Sequence, residues 1–131
     1  MRRDTKNWLA SADYDIETAN HMLATARYLY VIFMCHLALE KTLKAIAAEA
    51  QRRTPPKTHD LLYLVNLGGV NLSREHLDFI GKINNASIPT RYPEDLAKAI
   101  TAYPKGVSQS YLEKTKEVVE WLRQDPRLKR S

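Results

Sequence analysis

The longest apolar segment of the chain covers residues 28–39, where His36 is the only residue outside the usual apolar set. The segment contains no Gly or Pro, and it continues to residue 50 in residues that favour helix, mainly Ala, Leu, Lys and Glu. The apolar run of residues 28–39 is too long for an ordinary buried strand. It is also too short for a membrane span, which needs about 20 residues. The pattern therefore predicts a central helix over residues 28–50, buried nearly all round in its first half.

A second periodic segment precedes this central helix. Its apolar residues return every three or four positions, which predicts a first helix over residues 4–26 with Asp4 as its N-cap. Three acids in the middle of the segment could suggest a metal site, but only two of them share a helical face. We therefore expect no metal site and a solvated face at these acids, which are Asp13, Asp15 and Glu17.

Proline and glycine mark the boundaries of the elements that follow the central helix. Two adjacent prolines at positions 55 and 56 end it and begin a loop. Thr58 is the predicted N-cap of a short helix over residues 59–67. Gly68 and Gly69 end that helix, since glycine readily adopts the left-handed conformation found at helix C-termini.

The last part of the chain combines two helices with an irregular segment. Ser73 is the predicted N-cap of a helix over residues 74–86, whose inward positions are Leu77, Ile80 and Ile83. Residues 87–106 contain three prolines, so we expect an irregular segment there, with a helical turn or two after Pro93. A final helix is predicted from residue 107 or 108 to about residue 124.

No segment has the alternating pattern of a strand, so the chain is predicted to be all-α. A length of 131 residues suits one domain, which we place at residues 1–126, followed by a basic, frayed tail over residues 127–131. The net charge of +5 permits an anionic partner, although a mildly basic solvated surface is the simpler explanation.

Cysteine content and the N-terminal sequence bear on the compartment. Cys35 is the only cysteine, so an intramolecular disulfide is impossible, as is common in a reducing cytoplasm. Because it lies in the apolar segment, we interpret it as a small core residue. The first residues lack the uninterrupted apolar stretch of a signal peptide, and we expect a cytoplasmic protein.

Candidate functional residues occur in three places. His36, Glu40 and Lys44 recur every four positions on the central helix, so they form either a structural ladder or, together with Lys41, the lining of a phosphate pocket. His59 lies at a predicted helix start, where backbone N–H groups can meet an anion. The irregular segment contains Arg91 and Tyr92, which suit phosphate contact and base stacking; their sequence context is Thr-Arg-Tyr-Pro.

Three segments, ALEKTLKAIAAE, PPKTHDLLYL and TRYPED, resemble in order and spacing the HEPN family, named for higher eukaryotes and prokaryotes, nucleotide-binding. The resemblance covers about residues 10–122. It implies an up-and-down four-helix bundle with an additional short helix, and a homodimer. It also implies a small nucleotidyltransferase encoded nearby, as the second protein of a toxin–antitoxin-type pair. Many HEPN members are metal-independent ribonucleases, in which an Arg and a His separated by four to six residues act at the dimer cleft.

The sequence departs from that catalytic motif. Arg91 best matches the catalytic Arg, but the seven residues that follow it include no His. Arg53 and His59 do have five residues between them, but a double proline lies in the interval and the wrong helix follows. We interpret that match as accidental. Without a His near Arg91, acid–base cleavage lacks its usual contributor.

Two functions are therefore predicted. The first is a non-catalytic module that binds nucleotide or RNA through Lys41, Lys44, His59, Arg91 and Tyr92, with no cofactor or metal, in partnership with the nucleotidyltransferase. The alternative is a metal-independent ribonuclease toxin with an altered site built on His59 and Arg91. Whether these two residues meet in one cleft is the structural question that distinguishes the hypotheses best.

Overall fold

The computed structural model describes residues 1–129. These residues form six α-helices and one 3-10 turn, with no strand among them. In chain order the elements are α1 (Arg3–Ala24), α2 (Tyr28–Gln51), α3 (Leu61–Gly68), α4 (Arg74–Arg91), α5 (Leu96–Ala102), α6 (Lys105–Arg123) and the 3-10 turn Pro126–Lys129. The long helices α1, α2, α4 and α6 make up the bundle. The predicted all-α, up-and-down four-helix bundle is confirmed, with two short helices, α3 and α5, where one was expected.

Helix α2 lies at the centre, in contact with α1, α3, α4 and α6. Its ends lie within one residue of those predicted. Burial is nevertheless greatest in the second half of α2 and not in the first, because small alanines there let neighbouring helices pack closely on several sides. In the first half, Tyr30 is 47% exposed, whereas Cys35 is fully buried in the core as predicted.

Two predicted N-caps are wrong. The carboxylate of Asp4 lies in the first turn of α1 and pairs with Arg2, whose Nε is 2.8 Å from Oδ1. Helix α3 is capped by Asp60, whose Oδ1 accepts the N–H groups of the second and third helical residues at 3.1 and 3.3 Å. Thr58 instead accepts the N–H of Asp60 at 3.1 Å, so it supports the capping residue. The predicted roles of Gly69, at φ 56°, and of Ser73 as the cap of α4 are confirmed.

Helix α4 is five residues longer than predicted, because Pro89 lies within its last turn and does not end it. Hydroxyl groups contact the carbonyl groups on either side of Asn85, the residue whose carbonyl would otherwise accept the N–H missing from Pro89. The Thr90 hydroxyl donates to the carbonyl of Ala86 at 2.7 Å, and the Ser87 hydroxyl donates to that of Asn84 at 2.9 Å. Arg91 is therefore a helical residue and not a loop residue. Leu77, near the other end of α4, is exposed and does not face the core as predicted.

The segment predicted to be irregular, residues 87–106, is mostly helical. Its first part completes α4, and Asp95 caps α5 by accepting the N–H of Lys98 at 3.1 Å. No residue of α5 is buried, so α5 lies on the surface of the bundle. None of the helices in the described part of the chain is both long and apolar enough to cross a membrane.

The predicted frayed tail is folded as far as Lys129. Arg127 donates to the carbonyl of Gly68 at 2.6 Å and pairs with Asp125, and this carboxylate raises the pKa of the guanidinium. Leu128 is buried against the core. Residues 127–129 therefore form a turn packed on the bundle, where the sequence predicts a frayed tail. The rest of that tail, residues 130–131, lies outside the described residues.

Candidate functional site

The buried carboxylate of Glu40 is the centre of a polar cluster inside the bundle. Its Oε2 lies 3.0 Å from Lys44 Nζ, one helical turn further along α2. Its Oε1 lies 2.7 Å from His59 Nδ1 and 3.8 Å from Arg91 Nη2. The side chain of Glu40 is only 4% exposed. One carboxylate thus joins α2, the loop before α3 and the last turn of α4, and we call Glu40, His36, Lys44, His59 and Arg91 the Glu40 cluster.

His36 is the fully buried member of the cluster. Its Nδ1 lies 3.3 Å from Arg91 Nη2 and 3.9 Å from Glu40 Oε1. Burial, and next the charge of Arg91, lower the pKa of His36 to about 4, so the imidazole is neutral at pH 7. A guanidinium can only donate, so Nδ1 accepts and the proton lies on Nε2. That Nε2 has no hydrogen-bond partner within residues 1–129.

Arg91 is held tightly although it lies at a helix end. Its side chain is 11% exposed, and its guanidinium carbon lies 4.7 Å from the ring centroid of Phe33 on α2. Such stacking of a cation on an aromatic face is stabilising. Nη2 contacts His36, while Nε is buried without a hydrogen-bond partner in the described residues. The guanidinium therefore has a defined position before any ligand binds.

His59 forms the exposed end of the cluster. Its side chain is 65% exposed although its Nδ1 contacts the buried carboxylate. An ionised carboxylate accepts hydrogen bonds and cannot donate them, so Nδ1 carries a proton. The contact with Glu40 therefore orients the ring and leaves Nε2 available for contacts outside the cluster.

A groove of about 440 Å³ opens above these side chains, between the start of α3 and the end of α4. We call it the α3–α4 groove. A hydrogen bond of 2.9 Å from the N–H of Leu61 to Asn84 Oδ1 fixes its two walls relative to each other. Its lining residues are His59, Asp60, Asn84, Asn85, Ser87, Ile88, Arg91 and Tyr92. Both charged and amide side chains thus face a space large enough for a small ligand.

Comparison with known proteins identifies the fold and the family. The family model described as HEPN domain matches residues 5–125. This chain belongs to the HEPN family. The crystal structure of TT1696 from Thermus thermophilus superposes with a TM-score of 0.81 at 20% identity, covering 94% of this chain and 98% of that one. ST0689, an archaeal HEPN homologue, gives 0.73 at 18% identity, covering 94% and 97%. No curated protein sequence matches this chain.

Three of the five residues predicted for this HEPN domain lie together. His59, Arg91 and Tyr92 line the α3–α4 groove, and Tyr92 is 73% exposed. Lys44 lies behind Glu40, buried, with its Nζ 5.2 Å from the ring centroid of Trp8. His59 and Arg91 thus meet in one cleft, because both side chains approach the same oxygen of Glu40.

Lys41 is separate from the groove and contacts helix α1. Its Nζ lies 2.8 Å from Asp15 Oδ2, and Asp15 is buried, so the prediction of a solvated position for this acid is wrong. With Lys41 paired to Asp15 and Lys44 paired to Glu40, the two ammonium groups do not form the joint phosphate contact expected from their spacing. In residues 1–129 no group of three or more His, Cys, Asp or Glu side chains is arranged to hold a metal ion.

His36 and Glu40 are candidates from the sequence as part of a ladder on the central helix, but they are not among the five residues predicted to bind the ligand. A signal was present, because His36 is the one polar residue inside the longest apolar segment and Glu40 directly follows it. Nothing in the sequence marked Asn84 and Asn85 as site residues. They lie near residue 86, where the helix was predicted to end, whereas the helix continues to Arg91 and carries both residues beside the groove. The spacing of polar residues on one helix face identified the cluster, but not which side chains from other helices would join it.

Proposed function

We propose that this HEPN domain binds nucleotide or RNA in the α3–α4 groove without cleaving it. The observation that carries the proposal is the arrangement of Arg91, His59 and Tyr92 around one groove. Beneath them one carboxylate, Glu40, faces two permanent positive charges, those of Lys44 and Arg91. Asp60 also lines the groove, but its Oδ1 is occupied by two backbone N–H groups at the start of α3, so the attraction for an anionic ligand depends on Arg91.

Each of the three groove residues suits a different part of a nucleotide. The planar guanidinium of Arg91 can grip phosphate oxygens, and the imidazolium form of His59 can donate a second hydrogen bond to them from Nε2. Tyr92 is exposed at the C-terminus of α4 and offers a ring on which a base can stack. Ile88, exposed one turn earlier, extends this apolar surface. Phosphate and base contacts thus occur side by side in the groove.

Titration calorimetry with AMP and with a short single-stranded RNA of uridines tests the proposal directly. We expect weak binding of both, with an affinity that falls as salt increases because much of the attraction is electrostatic. Nuclear magnetic resonance should show the largest shifts at residues that line the groove. Absence of binding by both methods at low salt, or shifts confined to another face, would contradict the proposal.

We further propose that the domain acts in the cytoplasm with a small nucleotidyltransferase encoded nearby, in a toxin–antitoxin-type pair. The support is membership of the HEPN family. The resemblance to that family implies a small nucleotidyltransferase encoded nearby. Coexpression of the two proteins followed by size-exclusion chromatography tests the partnership. Separate elution of the two proteins at micromolar concentration would argue against it.

A homodimer is the expected assembly. Tyr30, Leu96 and Ile100 are each about half exposed and border an apolar groove at one end of the bundle. Burying this surface in a second copy would remove it from water, which is favourable. Light scattering should return twice the chain mass of 15.1 kDa, and Ile100→Glu should shift the protein toward monomer. A mass of one chain at every concentration would contradict this prediction.

A second candidate function, metal-independent RNA cleavage, is favoured by the contact between His59 and Glu40. A carboxylate that holds an imidazole at 2.7 Å fixes its orientation for proton transfer. Arg91, near the same carboxylate, could stabilise charge that develops on a phosphate. This arrangement is the altered ribonuclease site that the sequence left as the alternative.

We expect cleavage to be feeble or absent despite this arrangement. Cleavage through the 2′-hydroxyl needs one group to take a proton and another to give one to the leaving oxygen. His59 is the only exposed histidine among the residues that line the groove, since His36 is fully buried and neutral. Incubation of fluorescent single-stranded RNA with the protein in EDTA measures this activity. Robust cleavage that is lost in His59→Ala but kept in His21→Ala, an exposed histidine on α1, would instead establish the ribonuclease.

A further inference from the structure

The presence of a histidine at position 36 is not explained by packing. Its side chain is fully buried in the apolar half of α2, and its Nε2 makes no hydrogen bond of normal geometry within residues 1–129, although the backbone of His59 lies close enough to act on the pKa of the ring. A buried polar group without a partner destabilises the folded state, and an apolar side chain at this position would avoid that loss. The contacts made by the other ring nitrogen must therefore be considered.

The ring Nδ1 of His36 accepts a hydrogen bond from Arg91 Nη2 at 3.3 Å. Phe33, His36 and Glu40 follow one another at spacings of three and four on α2, so they share one helical face. The guanidinium of Arg91 stacks on Phe33 while its Nη2 approaches the other two. Together these three residues form a socket for the guanidinium, and His36 supplies its neutral acceptor.

The distances from Arg91 and His59 to Glu40 show the effect of the acceptor His36 Nδ1. Arg91 Nη2 lies 3.8 Å from Glu40 Oε1, beyond the range of a direct hydrogen bond, although the two groups carry opposite charges and are nearly buried. The same Oε1 is in close contact with His59 at 2.7 Å. Without His36, Glu40 would be the closest polar acceptor at that end of the guanidinium. A direct hydrogen bond would occupy an Arg91 donor that a phosphate could otherwise use, and would compete with His59 for the carboxylate.

We propose that His36 is a positioning residue that holds Arg91 away from Glu40, so that both Arg91 and His59 remain able to bind the phosphate of a ligand in the α3–α4 groove. This inference rests on the proposed function and specifies how its binding site is kept ready. His36 itself does not touch the ligand, because its side chain is fully buried. The low pKa of about 4 supports the role, since the ring keeps an unprotonated Nδ1 at neutral pH.

The test compares His36→Leu, which removes the acceptor, with His36→Gln, whose amide oxygen can replace it. Calorimetry with the short RNA of uridines should show binding weakened by about fivefold in His36→Leu, the scale of one net hydrogen bond, and largely restored in His36→Gln. Cys35→Ala is the matched control, because Cys35 is also fully buried on α2 and lies outside the Glu40 cluster. It should leave binding unchanged even if it lowers the melting temperature.

A second measurement needs no ligand. In nitrogen-15 nuclear magnetic resonance spectra, His59 Nδ1 should report its contact with Glu40 in the wild type, and that signal should move in His36→Leu but not in Cys35→Ala. If the wild-type protein binds neither AMP nor the short RNA of uridines, the proposed function fails. The His59 signal still decides whether His36 positions the side chains of the Glu40 cluster. If His36→Leu does not fold, His36→Met provides the same comparison. Unchanged RNA binding and an unchanged His59 signal would overturn the inference.

Discussion

Replacing Glu40 with alanine should lower the free energy of unfolding by about 3–5 kcal/mol, the usual effect of removing one partner from a buried ion pair. The change leaves the ammonium of Lys44 and the guanidinium of Arg91 nearly buried without their shared carboxylate. Positive charge in a poorly hydrated site is unfavourable because little water can solvate it. The helix propensity of α2 should not fall, since alanine is the best helix former.

Urea denaturation followed by circular dichroism measures the effect. Asp78→Ala is the matched control, because Asp78 also pairs with a cation one helical turn away, Arg74, but on an exposed surface. The control should leave the midpoint almost unchanged, since exposed pairs contribute little. Glu40→Gln should fall between wild type and Glu40→Ala, because the amide oxygen can still accept from Lys44. A loss in Glu40→Ala as small as that in the control would show that the cluster is well hydrated.

Helix boundaries were predictable where they depend on local chemistry. Helix α2 lies within one residue of its prediction, because its composition favours helix over the whole segment. The end of α4 was not predictable, since Pro89 is normally a helix breaker. There the hydroxyl of Thr90 donates to a carbonyl of the preceding turn, and the backbone continues to Arg91. Such side-chain contacts in the last turn depend on the final geometry and not on the local pattern.

The candidate site was predictable as a set of residues but not as an arrangement. Arg91 and His59 are candidates from the sequence alone, by residue type and position. Their approach to Glu40 requires the start of α3 and the end of α4 to pack against the same face of α2, which no local pattern encodes. Helical spacing likewise placed Lys41 close to Lys44, but Asp15 on α1 draws Lys41 to a different side. Spacing along a helix indicates which residues can be neighbours, and tertiary packing decides their partners.

Binding of nucleotide or RNA should depend most strongly on Arg91. Arg91→Ala should weaken binding by about 1–3 kcal/mol, the scale of a hydrogen bond to a charged group, and Arg91→Lys should recover only part of this. An ammonium lacks the planar fork for phosphate and cannot stack on Phe33 as a guanidinium does. Titration calorimetry with AMP and the short RNA of uridines measures the affinities at constant low salt.

The control for this prediction is Arg74→Ala, which removes the same charge from the exposed first turn of α4. A purely electrostatic, non-specific attraction would be weakened to the same extent by both changes, whereas a site in the α3–α4 groove responds mainly to Arg91. The competing role for Arg91 is structural, because the guanidinium is nearly buried near Glu40 and His36. Thermal melts of Arg91→Ala separate the two roles. A clearly lower melting temperature together with unchanged affinity would make Arg91 an anchor for the end of α4, and the ligand-binding proposal for the groove would then lose its main contact.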